Sequence, residues 1–219
     1  MNKYFNRIFL FISILSFSSC FEIIEEISMN NDGSGNVLLT LNFSRSKSKI
    51  KSILLMDSIN GYKVPSRYEV ETRIADLKNQ LTNIKGVSNV KSNSNFEDYI
   101  FNISCNFTNT NVLNEIIKHF NKNKSQELNK QFVYNKNTKT FRRTYNYNLS
   151  EEVKKINKKD REIFTNASIT TIYRFQSPII YSKNKLARIS KNKKAIMLRV
   201  DVNNLLANKE NIKNTIKLK

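Results

Sequence analysis

The chain has 219 residues, with 37 Lys and Arg against 18 Asp and Glu, a formal net charge of +19 at pH 7. A hydrophobic content of 39%, with 14 Phe and 9 Tyr, supplies a real core and excludes a globally disordered chain. One His, two Cys and four Gly leave little material for metal clusters, disulfide frameworks or glycine loops that cradle phosphates.

The first twenty residues read MNKYFNRIFLFISILSFSSC. Lys3 and Arg7 precede an apolar run from Ile8 to Phe17, and Ser18 and Ser19 follow, the order of a secretory signal. The run is about ten residues, half of the ~20 that cross a bilayer. Lengthening it would take in Glu22, Glu25 and Glu26, which is costly inside a membrane. With Cys20 directly after the serine pair, the segment resembles a bacterial lipoprotein signal. Phe17 stands where the best-known form of that signal has Leu, a relaxed version similar to Bacteroidota-type lipoproteins. The resemblance implies that residues 1–19 are a cleaved signal peptide and that Cys20 is the palmitate-type lipid-attachment site. Residues 20–219 would then be one mature domain of charge +17, the two cations Lys3 and Arg7 being lost from +19. The alternative is an ordinary secretory signal that leaves a free thiol near its cleavage site.

From Phe21 onward, FEIIEEISMNNDGSGNVLLTLNFS reads as a hairpin, with Asp-Gly and a second Gly for the tight turn. Because its first arm starts almost at Cys20, the domain is expected to sit close to the membrane. SRSKSKIKSILLMDSI predicts a short helix carrying Ile50, Ile53 and Leu54 inward, with Ile59 as a further candidate. In SRYEVETRIADLKNQLTNIKG, Val70, Ile74, Leu77, Leu81 and Ile84 recur every three or four residues, the stripe of a helix packed on a sheet. Ser66 and Glu69 have the spacing of a capping box, and Gly86 ends the segment.

Two antiparallel strands follow over 87–107. Cys105 alternates there with Tyr99, Phe101, Ile103 and Phe107, so it reads as a small buried hydrophobe. NTNVLNEIIKHF predicts a compact helix, QFVYNKNTKTFRRTYNYNL a second hairpin, and Ser150 caps an expected helix over EEVKKINKKDREIF. Strands are expected again in ASITTIYRFQSPIIY, KLARISKN and KKAIMLRVDV, and NTIKLK could add an edge strand. Hairpins alternating with single helices predict an α+β fold, a largely antiparallel sheet of hairpins packed by several helices.

Catalytic patterns are sparse. His119, between Lys118 and Phe120, has no clustered ligands and no Gly-x-Ser-x-Gly elbow to serve, and after Gly86 the chain has no glycine at all. The carboxylate pairs Glu151–Glu152 and Asp160–Glu162 sit in charged helical surroundings. No enzyme activity, cofactor or metal is expected. The charge suits anionic lipid headgroups or an acidic glycan, although an Asn-, Lys- and Ile-rich composition written by an AT-rich genome produces it equally. Export and the lack of any recognition motif argue against nucleic acid. One stretch, KTFRRTYNYN, offers Arg142 and Arg143 among aromatic rings as a candidate anionic-ligand contact. On a strand, Phe141, Arg143, Tyr145 and Tyr147 would share one face and Arg142 would take the other.

The acidic-apolar start, the DGSG hairpin and YRFQSPIIYSKN followed by ARISKNKKAIMLRVDV resemble a group of Bacteroidota lipoproteins of no assigned activity. More distantly they are similar to the mycobacterial-type LppM lipoprotein domain, which implies an α+β lipid-interacting domain of the cell envelope. FEIIEE after Cys20 lacks a lysine-then-acidic run associated with surface export, so an outer-membrane position facing the periplasm is expected. Two functions follow: a membrane-anchored binding module for a lipid or glycan, or an accessory subunit of an outer-membrane protein complex. A closed apolar cavity between helix 66–85 and the sheet would favour the first, and an exposed apolar patch larger than a few hundred Å² the second.

Overall fold

The structure, a computed structural model, describes residues 21–59, 61–120, 130–144 and 166–219. Cys20 with the signal segment, Tyr145, Tyr147, the helix expected after Ser150 and both carboxylate pairs lie outside the described residues.

The first hairpin forms as its alternation dictates. β1 (Glu22–Met29) pairs antiparallel with β2 (Gly35–Asn42) in register from Glu22–Asn42 to Met29–Gly35. Gly33 closes the turn at φ +89°, a backbone conformation that L side chains rarely adopt. Gly35 meets a different demand: a Cβ there would lie 2.1 Å from the Ser28 carbonyl oxygen. α1 (Lys47–Ile53) follows a single 3-10 turn over Ser44–Ser46. A small exposed hairpin, β3 (Ser58–Ile59) and β4 (Tyr62–Lys63), then takes up Ile59, so that residue does not join the helix.

α2 (Arg67–Thr82) opens with a complete capping box: Ser66 Oγ accepts from the Glu69 amide, and Glu69 Oε2 accepts from the Ser66 amide at 2.7 Å. β5 (Val87–Asn95) and β6 (Ile100–Phe107) pair antiparallel, with an irregularity between Ser88 and Lys91. After α3 (Thr110–Phe120) come β7 (Phe132–Asn135) and β8 (Thr140–Arg143). β9 (Ser168–Phe175), β10 (Ile179–Ser182), β11 (Arg188–Ile189) and β12 (Ala195–Asp201) lead to a short α4 (Val202–Leu206) and β13 (Asn214–Leu218).

These elements make an α+β fold with two main sheets. The larger has seven strands in the order β11-β12-β9-β1-β2-β6-β5, the smaller four in the order β10-β13-β8-β7. The strand pairing is largely antiparallel as expected, with one exception, and one expectation needs correction. The large sheet is mixed, because β1 pairs parallel with β9 at its centre, Glu22 beside Ser168 through Met29 beside Phe175. The C-terminal NTIKLK is not an edge strand, since β13 lies between β10 and β8. In both cases the partner is distant in sequence, and alternation along a strand carries no information about which neighbour it finds.

One face of the large sheet is apolar and builds the core. Ile27, Cys105, Phe107, Tyr173 and Ile196 on that face pack against Phe132, Phe141 and Ile216 of the small sheet and Leu113 and Ile116 of α3. Asn114 ties α3 to β7 in place of a strand: its Nδ2 donates to the Phe132 carbonyl and its Oδ1 accepts from the Phe132 amide, both at 2.8 Å. Burial pushes the Cys105 thiol up to about 11, which suits the structural role its alternation predicts. The opposite face is polar. There Glu22 accepts from Thr170 at 2.6 Å and pairs with Arg199 at 3.1 Å.

Candidate functional site

The two arginines of the TFRR strand part company. Arg142 is exposed, whereas Arg143 points into the core between the two sheets. Its guanidinium pairs with Glu25 at 3.1 Å, donates to Gln131 Oε1 at 2.7 Å and lies 4.4 Å from the centroid of the Phe132 ring. The Tyr173 hydroxyl donates to the other Glu25 oxygen at 2.7 Å, and burial together with that carboxylate holds its pKa well above the usual phenol range. Arg143 is therefore buried and paired with an internal anion, although it also lines the groove that Arg142 faces. The pairing follows from strand alternation, which places Arg143 on the same face as the buried Phe141. Arg142 faces a shallow polar groove with Lys183, Lys185 and Lys213, whose floor is held by Asn184 donating to the carbonyls of Asn211 and Lys213.

A second, very different cavity forms where α2 crosses the sheet. α2 does not lie flat: Leu81, near its C-terminal end, is 1% exposed, while Leu77, Ile74 and Val70 toward its start are only half-buried. The helix is pinned at one end and stands away from the strands at the other. The gap is a pocket of about 440 Å³, within the ~300–1,000 Å³ typical of small-molecule sites. Leu39 and Leu41 of β2 and Phe101 and Ile103 of β6 form its floor, paired across the sheet as Leu39–Ile103 and Leu41–Phe101. Val70, Ile74 and Leu77 of α2 form one wall, and Ile50 and Ile53 of α1 the other. The charged side chain on the lining is Arg73, which is exposed and makes no ion pair among the described residues. Nothing in the sequence singled out Arg73, because the local pattern does not say that a gap adjoins this part of α2.

The pocket lies toward the end of the sheet where the described chain begins. The Phe21 ring stands 5.5 Å from that of Phe43, Phe43 contacts Phe101 edge-on at 6.5 Å, and Phe101 contacts Phe96 at 5.2 Å. Phe43, Phe96 and Phe101 all line the pocket, so an aromatic file runs from the residue after Cys20 to the cavity wall. Such edge-on pairs contribute about 0.5–1.5 kcal/mol each beyond the area they bury.

The start of α2 is electrostatically locked. Lys63 Nζ meets Glu69 at 2.7 Å, and this contact with the two Ser66 hydrogen bonds lowers the Glu69 carboxyl to about 2. A depressed folded-state pKa stabilises the fold above the unfolded value and loses that contribution as pH falls toward the folded one. Stability attributable to Glu69 is thus constant from neutral pH to about 4.5 and declines between there and about 2. Urea unfolding across that interval should show a steeper decline in wild type than in Glu69→Gln, whose remaining slope comes from other carboxylates such as Asp32 and Asp98. Because both partners are partly exposed, the difference should shrink in high salt.

No group of His, Cys, Asp and Glu among the described residues could hold a metal ion, and none of the described helices is long and apolar enough to cross a membrane. No family model and no curated protein matches the chain. Among solved structures, the chain is similar to the folded domain of the Mycobacterium tuberculosis protein LppM, solved by NMR. The match covers 90% of this chain and 89% of that one at 8% identity and a TM-score of 0.38, too weak a likeness to assign fold or function.

Proposed function

We propose that the chain is a lipid-binding module of the bacterial envelope, tethered to the outer membrane through acylated Cys20 and facing the periplasm, with the apolar pocket as its ligand site. The pocket itself is the observation that carries this role. A glycan would meet a lining of Leu, Ile, Val and Phe side chains with almost nothing to hydrogen-bond, whereas an acyl chain needs only apolar surface. Moving an acyl chain from a bilayer into the pocket exchanges one apolar setting for another, so the chain alone confers little preference. Selectivity then falls to the mouth, where Arg73 is placed to meet an anionic headgroup.

The test is extraction of lipid from protein purified out of its own membranes, read by mass spectrometry. A specific lipid, enriched over its share of the membrane and reduced by Arg73→Glu, is the expected result. Cys20→Ser should release the protein from the membrane fraction, and an unchanged distribution would remove the tether from this account. The exposed apolar residues at 54–62 would be the contact surface of an accessory subunit. A stoichiometric protein partner without bound lipid in the same preparation would establish that role instead.

A further inference from the structure

We propose that the segment from Arg45 to Tyr68 is a bilayer-docking face, which sets the mouth of the apolar pocket against anionic lipid headgroups. It takes its membrane from the tethered role above, and its position from three independent features of the molecule.

The first is misplaced apolar surface. α1 has no fully buried residue, and beyond it Leu55 is 90% exposed, with Met56, Tyr62 and Tyr68 also exposed. A concentration of this kind on one excursion of the chain marks a contact surface. The second is charge. Arg45, Lys49 and Lys51 are exposed and have no ion pair among the described residues, and from Arg45 to Tyr68 the sequence has six Lys and Arg against one acid, Asp57. Lysines around an apolar tip suit anionic headgroups. They suit a protein partner poorly, because Lys is depleted from protein interfaces. The two tyrosines have the amphipathic character found at membrane–water boundaries.

The third feature is position. The 3-10 turn begins directly after Phe43, whose ring contacts that of Phe21. The docking face, the pocket mouth and the start of the mature chain thus occupy one end of the large sheet. The turn after β1 and the 190–194 turn before β12 occupy the other. A bilayer touched by Leu55 would be adjacent to α2 where it stands off the sheet, and a lipid could pass into the pocket without crossing water.

The chain contains no Trp, so single substitutions give unambiguous reporters. Full-length Leu55→Trp and Ile180→Trp proteins would be purified from membranes and returned to phosphatidylethanolamine–phosphatidylglycerol vesicles brominated on their acyl chains. Ile180 is exposed on β10, which adjoins the 190–194 turn through the Ile179–Lys193 hydrogen bond, so it reports from the far end. Emission from the Leu55→Trp protein should shift to the blue and fall about twofold or more, as at the ~5–10 Å depth of an interfacial segment. Emission from the Ile180→Trp protein should be unaffected. Adding Lys49→Glu and Lys51→Glu to Leu55→Trp should reverse much of the shift and quenching. Protein that floats with the vesicles while both reporters emit alike would overturn the docking face and leave the anchor standing. Protein that neither floats nor shows quenching would overturn both. A blue-shifted indole at position 55 that is insensitive to bromine would place a protein there instead of lipid, which also overturns the proposal. Lipid recovery by mass spectrometry is independent of these readings, so failure of the pocket and failure of the docking face are separable.

Discussion

Arg143→Met should lower stability by about 3–5 kcal/mol, because it leaves the Glu25 carboxylate between the two sheets without its cation. For a chain of this size that corresponds to a fall in Tm of about 6–20 °C, measurable by calorimetry. Glu25→Leu alone should cost a comparable amount by stranding the guanidinium. Adding Glu25→Leu to Arg143→Met should recover much of the loss, since a buried ion pair replaced by apolar groups of similar size is often nearly neutral. Recovery should be incomplete until Tyr173→Phe removes the hydroxyl that donates to Glu25, an orphaned donor worth about 1–3 kcal/mol. Arg142→Met, on the exposed side of the same strand, should be within about 0.5 kcal/mol of wild type. A stability for Arg143→Met equal to that of Arg142→Met would refute the internal role and return Arg143 to the candidate ligand contacts.

Ile74→Trp should raise stability while removing bound lipid at least tenfold. Ordinarily a larger side chain in an interior costs about 1–3 kcal/mol through strain. Here the side chain projects from the raised part of α2 into open apolar space, so the indole gains contacts without displacing any. Cavity filling of this kind adds about 0.5–2 kcal/mol. The bound chain loses room at the same time, at about 0.8 kcal/mol for each methylene excluded. Opposite signs for stability and lipid recovery distinguish a functional pocket from a poorly packed helix. If stability rises and the lipid recovered per protein is unchanged, the lipid is held elsewhere and the pocket is only a packing defect.

Most of the secondary structure was legible from local pattern. The capping box of Ser66 and Glu69, the alternation of Val37, Leu39 and Leu41, the burial of Cys105 and the splitting of Arg142 from Arg143 all appear as periodicity predicts. Each depends on backbone geometry over a few residues, which the order of side chains encodes directly. The anion that receives Arg143 was not legible. Glu25 lies 118 residues earlier, in a segment that also reads as the acidic start of an exported domain. Nor was the burial of β13, whose neighbours are chosen by the packing of one sheet over another.

The pocket shows the division most clearly. By itself the sequence determined an apolar stripe on α2, an apolar face on β2 and β6, and a cysteine just ahead of Phe21 in a context resembling a lipoprotein signal. That stripe and face do not close is a result of packing that no local pattern contains. Burial of Leu81 pins α2 at one end, and the excursion through α1 and the β3–β4 hairpin lends Ile50 and Ile53 to the pocket wall but carries Leu55, Met56 and Tyr62 outward. Periodicity states which side of an element is apolar; the distance at which two such sides meet is set by everything else packed around them.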